Sequence, residues 1–247
     1  MYPLHGDVAN APMPAVTDRD SWQALLDDML VREKALTRAG DALAAERRRL
    51  PMVEVDGNVK LIGANGDTPL LDVFEGRRQL VAYFHMWHDG QPAPRQCEGC
   101  TFFNGQVREL SYLHAHDVTY ATFCEGPYAE SARYRDFMGW DVPWYSVGES
   151  KEILTAGRGF GLLVAYLRDG DRVFETYWRT GRGNEMMTPT YGILDMTVYG
   201  RQEEFEDSPA GWPKHSKNDG GQFRTGERPT AQWPRIAAGR DDSLQSS

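Results

Sequence analysis

Cys97 and Cys100 form a Cys-x-x-Cys motif between an apolar segment and a run of residues with helical periodicity. Two thiols at this spacing can close a disulfide ring with little backbone movement, and a helix N-terminus stabilises a thiolate. Because the first sulfur of such a motif lies at the open end of the helix, we expect Cys97 to attack a substrate and Cys100 to resolve the mixed disulfide. Two thiolates also supply half of a tetrahedral metal site, and a pair of ordinary buried cysteines is the third alternative.

Two further residues could extend this motif to a four-ligand site. Cys124 ends a predicted strand, and the carboxyl ends of neighbouring parallel strands share one edge of a sheet, so Cys124 is expected near the motif. There it could resolve a disulfide of Cys97 or bind a metal. His88 follows the apolar segment and can turn toward the cysteines, and the set of Cys97, Cys100, Cys124 and His88 would suit Cu(I) or Zn(II). The ordinary alternatives are a small buried hydrophobe for Cys124 and a hydrogen-bonded structural group for His88.

Four large side chains are predicted to line a pocket, and two of them, Trp140 and Trp144, are expected near the edge of the sheet. Trp87 and His85 share one face of the apolar segment if that segment is a strand, and Trp140 and Trp144 follow a predicted helix further along the chain. His85 is also a less favoured ligand candidate. For each of the four, packing in the protein core is the ordinary alternative.

The composition excludes several classes of protein. At 247 residues, with 40% apolar and 11% aromatic content, the chain can bury a hydrophobic core. Its net charge of −9 argues against nucleic acid or an anionic membrane as a partner, because phosphate groups bind to clustered positive charge. It has no run of about 18 apolar residues, and residues 1–7 lack the features of a signal peptide, so a cytoplasmic protein is expected. In that reducing compartment the Cys-x-x-Cys pair is expected to be catalytic or metal-binding.

The distribution of proline, apolar and charged residues along the sequence divides the chain into four parts. Residues 1–19 contain three prolines and are expected to form a loosely held arm. Residues 20–51 carry apolar residues at helical spacing and are predicted to be one helix, or two helices broken near Gly40. Such a one-sided helix must cover the next domain or a second subunit, so a homodimer through it is one expected assembly. Residues 52–205 form the main domain, and residues 206–247 form an extended tail.

Within the main domain, the apolar pattern predicts alternating strands and helices. Residues 53–55 and 59–62 are predicted to pair as a hairpin. The other predicted elements are a buried strand at 80–87, a helix from the cysteines to about 114, a strand at 118–124, a helix at 128–138, a hairpin of 162–167 with 172–178, and an irregular helix within 184–196. This alternation implies that the strands at 80–87 and 118–124 are parallel and joined by a right-handed crossover.

The order of elements and several short segments resemble a known group of proteins. The segments are residues 32–38, 46–51 and 74–80, Met138-Gly139-Trp140, and Leu194-Asp195. Together with a Cys-x-x-Cys pair directly after the first central strand, they resemble the thioredoxin superfamily, and within it a bacterial thioredoxin-like family known mainly as a domain of unknown function. The resemblance covers roughly residues 18–205. It implies a three-layer α/β/α sandwich with a central mixed sheet, and it implies little about activity.

Two residues of better-known relatives are absent. Thioredoxin-fold reductases place a cis-proline before the antiparallel hairpin, where this chain has Gly159-Phe160-Gly161-Leu162. Peroxiredoxins place a threonine three residues before the nucleophilic cysteine, where this chain has Pro94. Peroxiredoxin-type activity and general reduction of protein disulfides are therefore not expected. A small-molecule disulfide, thiol or peroxide, or a specific metabolite, is the substrate hypothesis.

We therefore predict a thioredoxin-like α/β/α domain with an N-terminal helical extension, acting as a thiol–disulfide oxidoreductase through Cys97 and Cys100. Its expected partners are a small-molecule substrate or a reductant protein, and no cofactor is required. The alternative is a copper- or zinc-binding enzyme or carrier that uses these cysteines with Cys124 and His88. A third hypothesis is a non-catalytic interaction protein with the long helix as a dimer arm.

Overall fold

The computed structural model describes residues 10–214 and 223–244. Within these residues, a central sheet is formed by β1 (Val53–Val55), β2 (Lys60–Gly63), β3 (Gly66–Pro69), β4 (Gln79–His85), β5 (Val118–Cys124), β6 (Trp144–Ser146), β7 (Leu162–Asp169) and β8 (Arg172–Thr180). The strand order is β1-β8-β7-β4-β5-β6-β2-β3. The central pair β4 and β5 is parallel, as predicted, while β7 runs antiparallel to β4, so the sheet is mixed.

Helices cover both faces of this sheet. The α-helices of the described residues are α1 (Arg19–Arg47), which does not pack into either core, α2 (Leu70–Val73), α3 (Glu98–Gly105), α4 (Ser111–Ala115), α5 (Tyr128–Met138), α6 (Lys151–Thr155), α7 (Pro189–Asp195) and α8 (Trp233–Ala237). Side chains of α2 and α6 belong to the hydrophobic core on one face, and side chains of α3 and α5 belong to the core on the other face. The chain therefore folds as the predicted three-layer α/β/α sandwich with a central mixed sheet.

Strand β4 joins the two cores because its side chains alternate between the faces of the sheet. Leu80, Ala82 and Phe84 lie in the core beneath α2 and α6, whereas Tyr83 lies in the core beneath α3 and α5. This two-sided burial explains the unbroken apolar run that predicted a central strand. The residues after β4 therefore leave the sheet directly beside α3, whose first turn contains Cys100.

The predicted hairpin of residues 53–55 with 59–62 is wrong. Strand β1 pairs with β8 at one edge of the sheet, whereas β2 pairs with β3 and β6 near the opposite edge. The segment between them is held by a different element, because Gly57 accepts a hydrogen bond from the backbone N–H of Leu71 at 3.0 Å. The actual hairpin is β2–β3, which closes at Gly66 with φ of +94°. The turn residues between positions 55 and 59 indicated that the chain changes direction there, but they did not indicate which strand pairs with which.

The structure decides one helical prediction and corrects two others. Of the two alternatives for residues 20–51, the structure has the single helix, because α1 runs through Gly40 without a break from the cap at Asp18. The helix predicted from the cysteines to residue 114 is divided into α3 and α4, and residue Gln106 beyond α3 accepts a hydrogen bond from Thr190. The helix predicted within 184–196 begins as a 3₁₀ helix at Gly181–Met187, and α7 starts at Pro189, whose ring suits a first helical turn.

Helix α1 stands apart from the rest of the domain in its exposure. None of its residues is buried, although it carries large apolar side chains along its length. Acidic residues prevail in its first half, and basic residues prevail in its second half. Of the helices in residues 10–214 and 223–244, none is long and apolar enough to cross a membrane.

The C-terminal residues 223–244 lie against the body of the domain. Two short strands, β9 (Arg224–Thr225) and β10 (Arg228–Pro229), form a hairpin before α8. The side chain of Gln232 is fully buried and donates a hydrogen bond to the carbonyl of Ala93 at 2.9 Å. Leu244 is buried in the same core as Cys100. This segment therefore lies next to the residues that lead into the Cys-x-x-Cys motif.

Candidate active site

Cys97 is the N-cap residue of α3, and its sulfur accepts the hydrogen bond that caps the helix. The donor is the backbone N–H of Cys100, whose nitrogen lies 3.4 Å from Cys97 Sγ. The carbonyl of Cys97 in turn accepts bonds from the backbone N–H and the hydroxyl of Thr101. The Cys97 sulfur is thus held at the positive end of the helix, where a negative charge is favoured.

This environment lowers the pKa of Cys97 from 9.0 to about 7. The main cause is a hydrogen bond from the Cys100 side chain, and the Cys100 backbone N–H and the charge of His88 act in the same direction. Burial and the negative charge of Glu98 oppose them. The pKa of Cys100 is raised well above its usual value, because its proton is bound to Cys97 and its thiol is buried. The pair therefore carries its charge on Cys97 and its proton on Cys100.

Two groups from the end of β4 contact the Cys100 sulfur. The backbone N–H of Met86 donates to Cys100 Sγ at 3.3 Å. The hydroxyl of Tyr83, a fully buried residue, also hydrogen-bonds to Cys100, and burial together with the neighbouring sulfurs raises the pKa of this tyrosine. Tyr83 therefore stays protonated and donates to the sulfur. The sequence indicated only core packing or a pocket wall for this residue, since a tyrosine in an apolar strand is typical of both.

Arg224 anchors the loop that leads into α3. Its guanidinium donates to the carbonyls of Pro94 at 2.8 Å and Gln96 at 3.0 Å, and it forms an ion pair of 3.0 Å with Glu98. The side chain of Gln96 is buried and holds the same loop from within through both backbone groups of His88. No sequence signal predicted Arg224, because its contacts join residues 126 to 130 positions apart.

The four predicted metal ligands lie in different environments. His88 is exposed, and its Nδ1 lies 2.8 Å from the carbonyl oxygen of Arg95. Cys124 is fully buried at the end of β5, where burial raises its pKa to about 12. Within the described residues, no group of three or more His, Cys, Asp or Glu side chains is placed to hold a metal ion. The structure brings Cys97 and Cys100 together without assembling the predicted four-ligand set.

The four predicted pocket residues lie in the core beneath α5 and are not among the residues that line the cavity at the cysteines. The ring of His85 is fully buried, with ring centroids of Trp144 at 5.4 Å, Trp140 at 6.0 Å and Trp87 at 6.4 Å. Desolvation lowers the pKa of His85 to about 4, so the imidazole is neutral near pH 7. Alternation along β4 correctly placed His85 on this face, but α5 covers the face and excludes solvent.

The cavity beside the cysteines has a volume of about 350 Å³, and its walls are formed by residues other than the four predicted ones. Cys97, Cys100, Tyr83 and Met86 form one side. The apolar part of the remaining wall comes from aromatic residues of α3, α7 and the C-terminal segments, which are Phe103, Tyr191, Phe205 and Phe223. The chain thus places its motif at the wall of a concave site of ligand size.

The polar part of the cavity wall comes from the segment after β8. Arg182, Asn184 and Glu185 line the cavity, as does the buried Glu203. Glu185 binds Arg182 at 2.8 Å and Arg201 at 2.9 Å. Burial raises the pKa of Glu203, while a hydrogen bond with Tyr191 acts in the opposite direction.

Gly161 directly precedes β7, the first strand of the β7–β8 hairpin, and it also lines the cavity. Its φ of +80° is a left-handed conformation that suits glycine. Its carbonyl accepts hydrogen bonds from Asn184 Nδ2 at 2.8 Å and from the Thr180 hydroxyl at 3.1 Å. No cis peptide bond occurs in the described ranges. The segment opposite the cysteines is therefore shaped by glycine and tied to the residues after β8.

The sequence matches a protein family and has limited similarity to solved structures. A family model described as "Bacterial protein of unknown function (DUF899)" matches residues 11–219. No curated protein matches the sequence. Among solved structures, peroxiredoxin Q of Xanthomonas campestris is similar at 14% identity and a TM-score of 0.40, with 57% of this chain and 91% of that chain covered. Peroxidoxin BcpB of Mycobacterium tuberculosis is similar at 18% identity and a TM-score of 0.38, with 56% and 93% covered. A secreted disulfide oxidoreductase of the same organism gives 10% identity and a TM-score of 0.35, with 56% and 96% covered.

Proposed function

The chain belongs to this bacterial family of unknown function, and we propose that it is a thiol–disulfide oxidoreductase for low-molecular-weight substrates. The proposal rests on the position and the lowered pKa of Cys97. Its sulfur caps α3, has a pKa lowered to about 7, and lines a cavity together with the protonated thiol of Cys100. A thiolate at neutral pH beside a second thiol is what nucleophilic attack and resolution of a disulfide require.

The reaction follows from these two sulfurs. The Cys97 thiolate attacks one sulfur of a substrate disulfide, forms a mixed disulfide, and releases the other half as a thiolate that takes a proton from solvent. Cys100 then loses its proton and attacks Cys97 Sγ, so that the second half leaves and the Cys97–Cys100 disulfide forms. The substrate gains two electrons and the protein loses two. An external thiol reductant returns the pair to the dithiol.

Tyr83 and the Met86 backbone have a specific part in the second step. When Cys100 loses its proton, both groups donate hydrogen bonds to the sulfur that becomes negative. They stabilise the attacking thiolate of Cys100, whose pKa is otherwise raised by burial. Tyr83 and Met86 are therefore positioned to favour resolution of the mixed disulfide.

The size of the cavity supports a small substrate. A volume of about 350 Å³ lies near the lower limit for small-molecule sites. In the reducing cytoplasm predicted from the sequence, the pair would rest as a dithiol and reduce incoming disulfides. A reductant protein would have to reach Cys97, which is half-buried.

The experiment is a turnover assay with a small disulfide in three cysteine variants. Cys97→Ser should abolish disulfide reduction, because the nucleophile is lost. Cys100→Ser should stop at the mixed disulfide, which mass spectrometry of the intact protein detects as the mass of one substrate half on Cys97. Cys124→Ser should retain turnover, since Cys124 is not part of the reacting pair. Equal activity of all three variants and the wild type would refute the proposal and favour a non-catalytic interaction protein.

Copper or zinc binding by the cysteine pair is tested on the same protein. Elemental analysis of protein purified without chelator measures metal per chain. A stoichiometric metal that disappears in Cys97→Ser would favour the metal hypothesis over the redox hypothesis. A metal that also disappears in Cys124→Ser would show that the buried thiol takes part.

A further inference from the structure

An aromatic ring from the C-terminal segment lies directly beside the Cys-x-x-Cys motif. Phe223 packs against Gly99, the residue before Cys100: a Cβ added at Gly99 would lie 3.8 Å from the nearest carbon of the Phe223 ring. The same ring stacks on Phe102, with centroids 4.8 Å apart and an angle of 30° between the ring planes. Phe223 is half-buried, and it lines the same cavity as Cys97. A substrate whose sulfur reaches Cys97 therefore meets this ring.

Two further rings of the cavity wall are also accessible. Phe103 is half-buried, and its ring centroid lies 6.1 Å from that of Phe223. Phe205 comes from the segment after α7 and is 48% exposed. Together with the half-buried Met86, these rings give the wall an apolar and polarizable surface. Aromatic rings attract one another beyond the effect of the area that they bury, so this surface is suited to a flat aromatic group.

The charged side chains of the wall, as far as the structure describes it, already have partners. Glu185 forms ion pairs with Arg182 at 2.8 Å and with Arg201 at 2.9 Å. Glu203 is buried and hydrogen-bonds to the side chain of Tyr191. A charged substrate would have to compete with these pairs, whereas the aromatic faces are free of such competition. The described wall therefore binds a substrate mainly through its rings.

We propose that the cavity binds low-molecular-weight disulfides that carry an aromatic group near the sulfur atoms, and that Phe223 stacks on this group. This inference rests on the proposed function and names its substrate class. Phe223 acts as a specificity residue: it holds the aromatic group while the substrate sulfur meets Cys97. The exchange itself is the two-electron reaction described above, and the aromatic group is unchanged in the released thiols.

The test compares two uncharged disulfides of which only one has rings. Dibenzyl disulfide carries a phenyl ring one carbon away from each sulfur, and bis(2-hydroxyethyl) disulfide carries a short hydroxyl chain. Each probe is mixed with the pre-reduced protein, samples are quenched with acid, and the loss of the Cys97 and Cys100 thiols is followed by mass spectrometry. Each rate constant is divided by that of the same probe with dithiothreitol, which corrects for the intrinsic reactivity of the probe.

The corrected rate constant of the wild-type protein should be higher for dibenzyl disulfide, by on the order of tenfold or more, because only this probe places a ring against the wall. Equal corrected rate constants for the two probes, or a higher one for bis(2-hydroxyethyl) disulfide, would overturn the inference.

Two variants test whether Phe223 is the source of this preference. Phe223→Leu keeps an apolar side chain and removes the ring, so it should lower the preference by about 2- to 13-fold, which is the range for one pair of aromatic rings. Tyr112→Leu is the matched control, because it removes a ring that is 76% exposed and does not line the cavity, and it should keep the preference. An unchanged preference in Phe223→Leu, or an equal loss in Tyr112→Leu, would contradict the role of Phe223. If Phe223→Leu does not fold, the wild-type comparison of the two probes still decides.

Failure of this inference differs from failure of the proposed function. A wild-type protein that reduces both probes with equal corrected rate constants, and loses this activity in Cys97→Ser, is an oxidoreductase without the proposed aromatic selectivity. A wild-type protein that reduces neither probe faster than Cys97→Ser contradicts both proposals.

Discussion

Replacing Cys100 with alanine should raise the pKa of Cys97 from about 7 toward 9.0, because the largest contribution to the low value is the hydrogen bond from the Cys100 side chain. The backbone N–H of residue 100 remains in the variant and still caps the sulfur, so the new value should lie between these limits. Because thiolate forms as pH rises through the pKa, the wild-type protein is about half thiolate at pH 7. A pKa between about 8 and 9 leaves about 10% to 1% thiolate at that pH. The variant should therefore react with an alkylating reagent about 5- to 50-fold more slowly at pH 7.

The assay is the rate of iodoacetamide alkylation between pH 5 and 10, with the modified residue identified by mass spectrometry. A Cys124→Ser background removes the third thiol, which is buried and has a raised pKa. Cys100→Ser is the matched control, because its hydroxyl can still donate to Cys97 and should keep the midpoint closer to pH 7 than alanine does. A wild-type midpoint near pH 9, or superimposed profiles for wild type and Cys100→Ala, would refute the assignment of the low pKa to this hydrogen bond.

Three further predictions concern the residues around the site and the long helix. Arg224→Met should lower the free energy of unfolding by about 2 kcal/mol, because bonds from a charged donor to two loop carbonyls are lost; an unchanged melting temperature would contradict the anchoring role. Gly126→Ala should lower the free energy of unfolding by roughly 1–3 kcal/mol, because the added Cβ would lie 1.9 Å from the Trp87 ring. Gly159→Ala is the control: its added Cβ would have no atom within 4 Å, so the melting temperature should not change. We expect α1 to pair with a second copy through its exposed apolar side chains, so Leu36→Asp, at a position that is 75% exposed, should give a monomer in analytical ultracentrifugation. A wild-type protein that is itself a monomer would contradict this prediction.

Patterns that depend on neighbours in the sequence predicted much of the fold. Strand β5 and helix α5 have the predicted bounds, since apolar alternation marks the strand and Gly139, with φ of +64°, ends the helix. The parallel pairing of β4 and β5 followed from the alternation of strand and helix. The partner of β1 could not be predicted in this way. It pairs with β8, more than one hundred residues away, and no local turn signal contains that information.

The candidate active site also contains residues that local sequence could identify and residues that only distant contacts reveal. Cys97 and Cys100 could be identified because their spacing alone indicates chemistry. Asn184 and Arg224 could not, because each matters only through contacts with a distant segment, Gly161 for one and the loop before α3 for the other. His85 shows the opposite error. Its residue type suggested a pocket or a ligand, while burial on all sides makes it a neutral core residue.

The anchoring of the active-site loop by Arg224 also has a consequence during protein synthesis. The ion pair between Arg224 and Glu98 joins residues 126 positions apart, so it cannot form until the chain has been made as far as Arg224. At about 5–20 residues per second, the cysteine pair is synthesised roughly 6–25 s before its anchor. A nascent chain that stalls before Arg224 therefore carries the motif without the ion pair and the two carbonyl hydrogen bonds that hold the loop before α3.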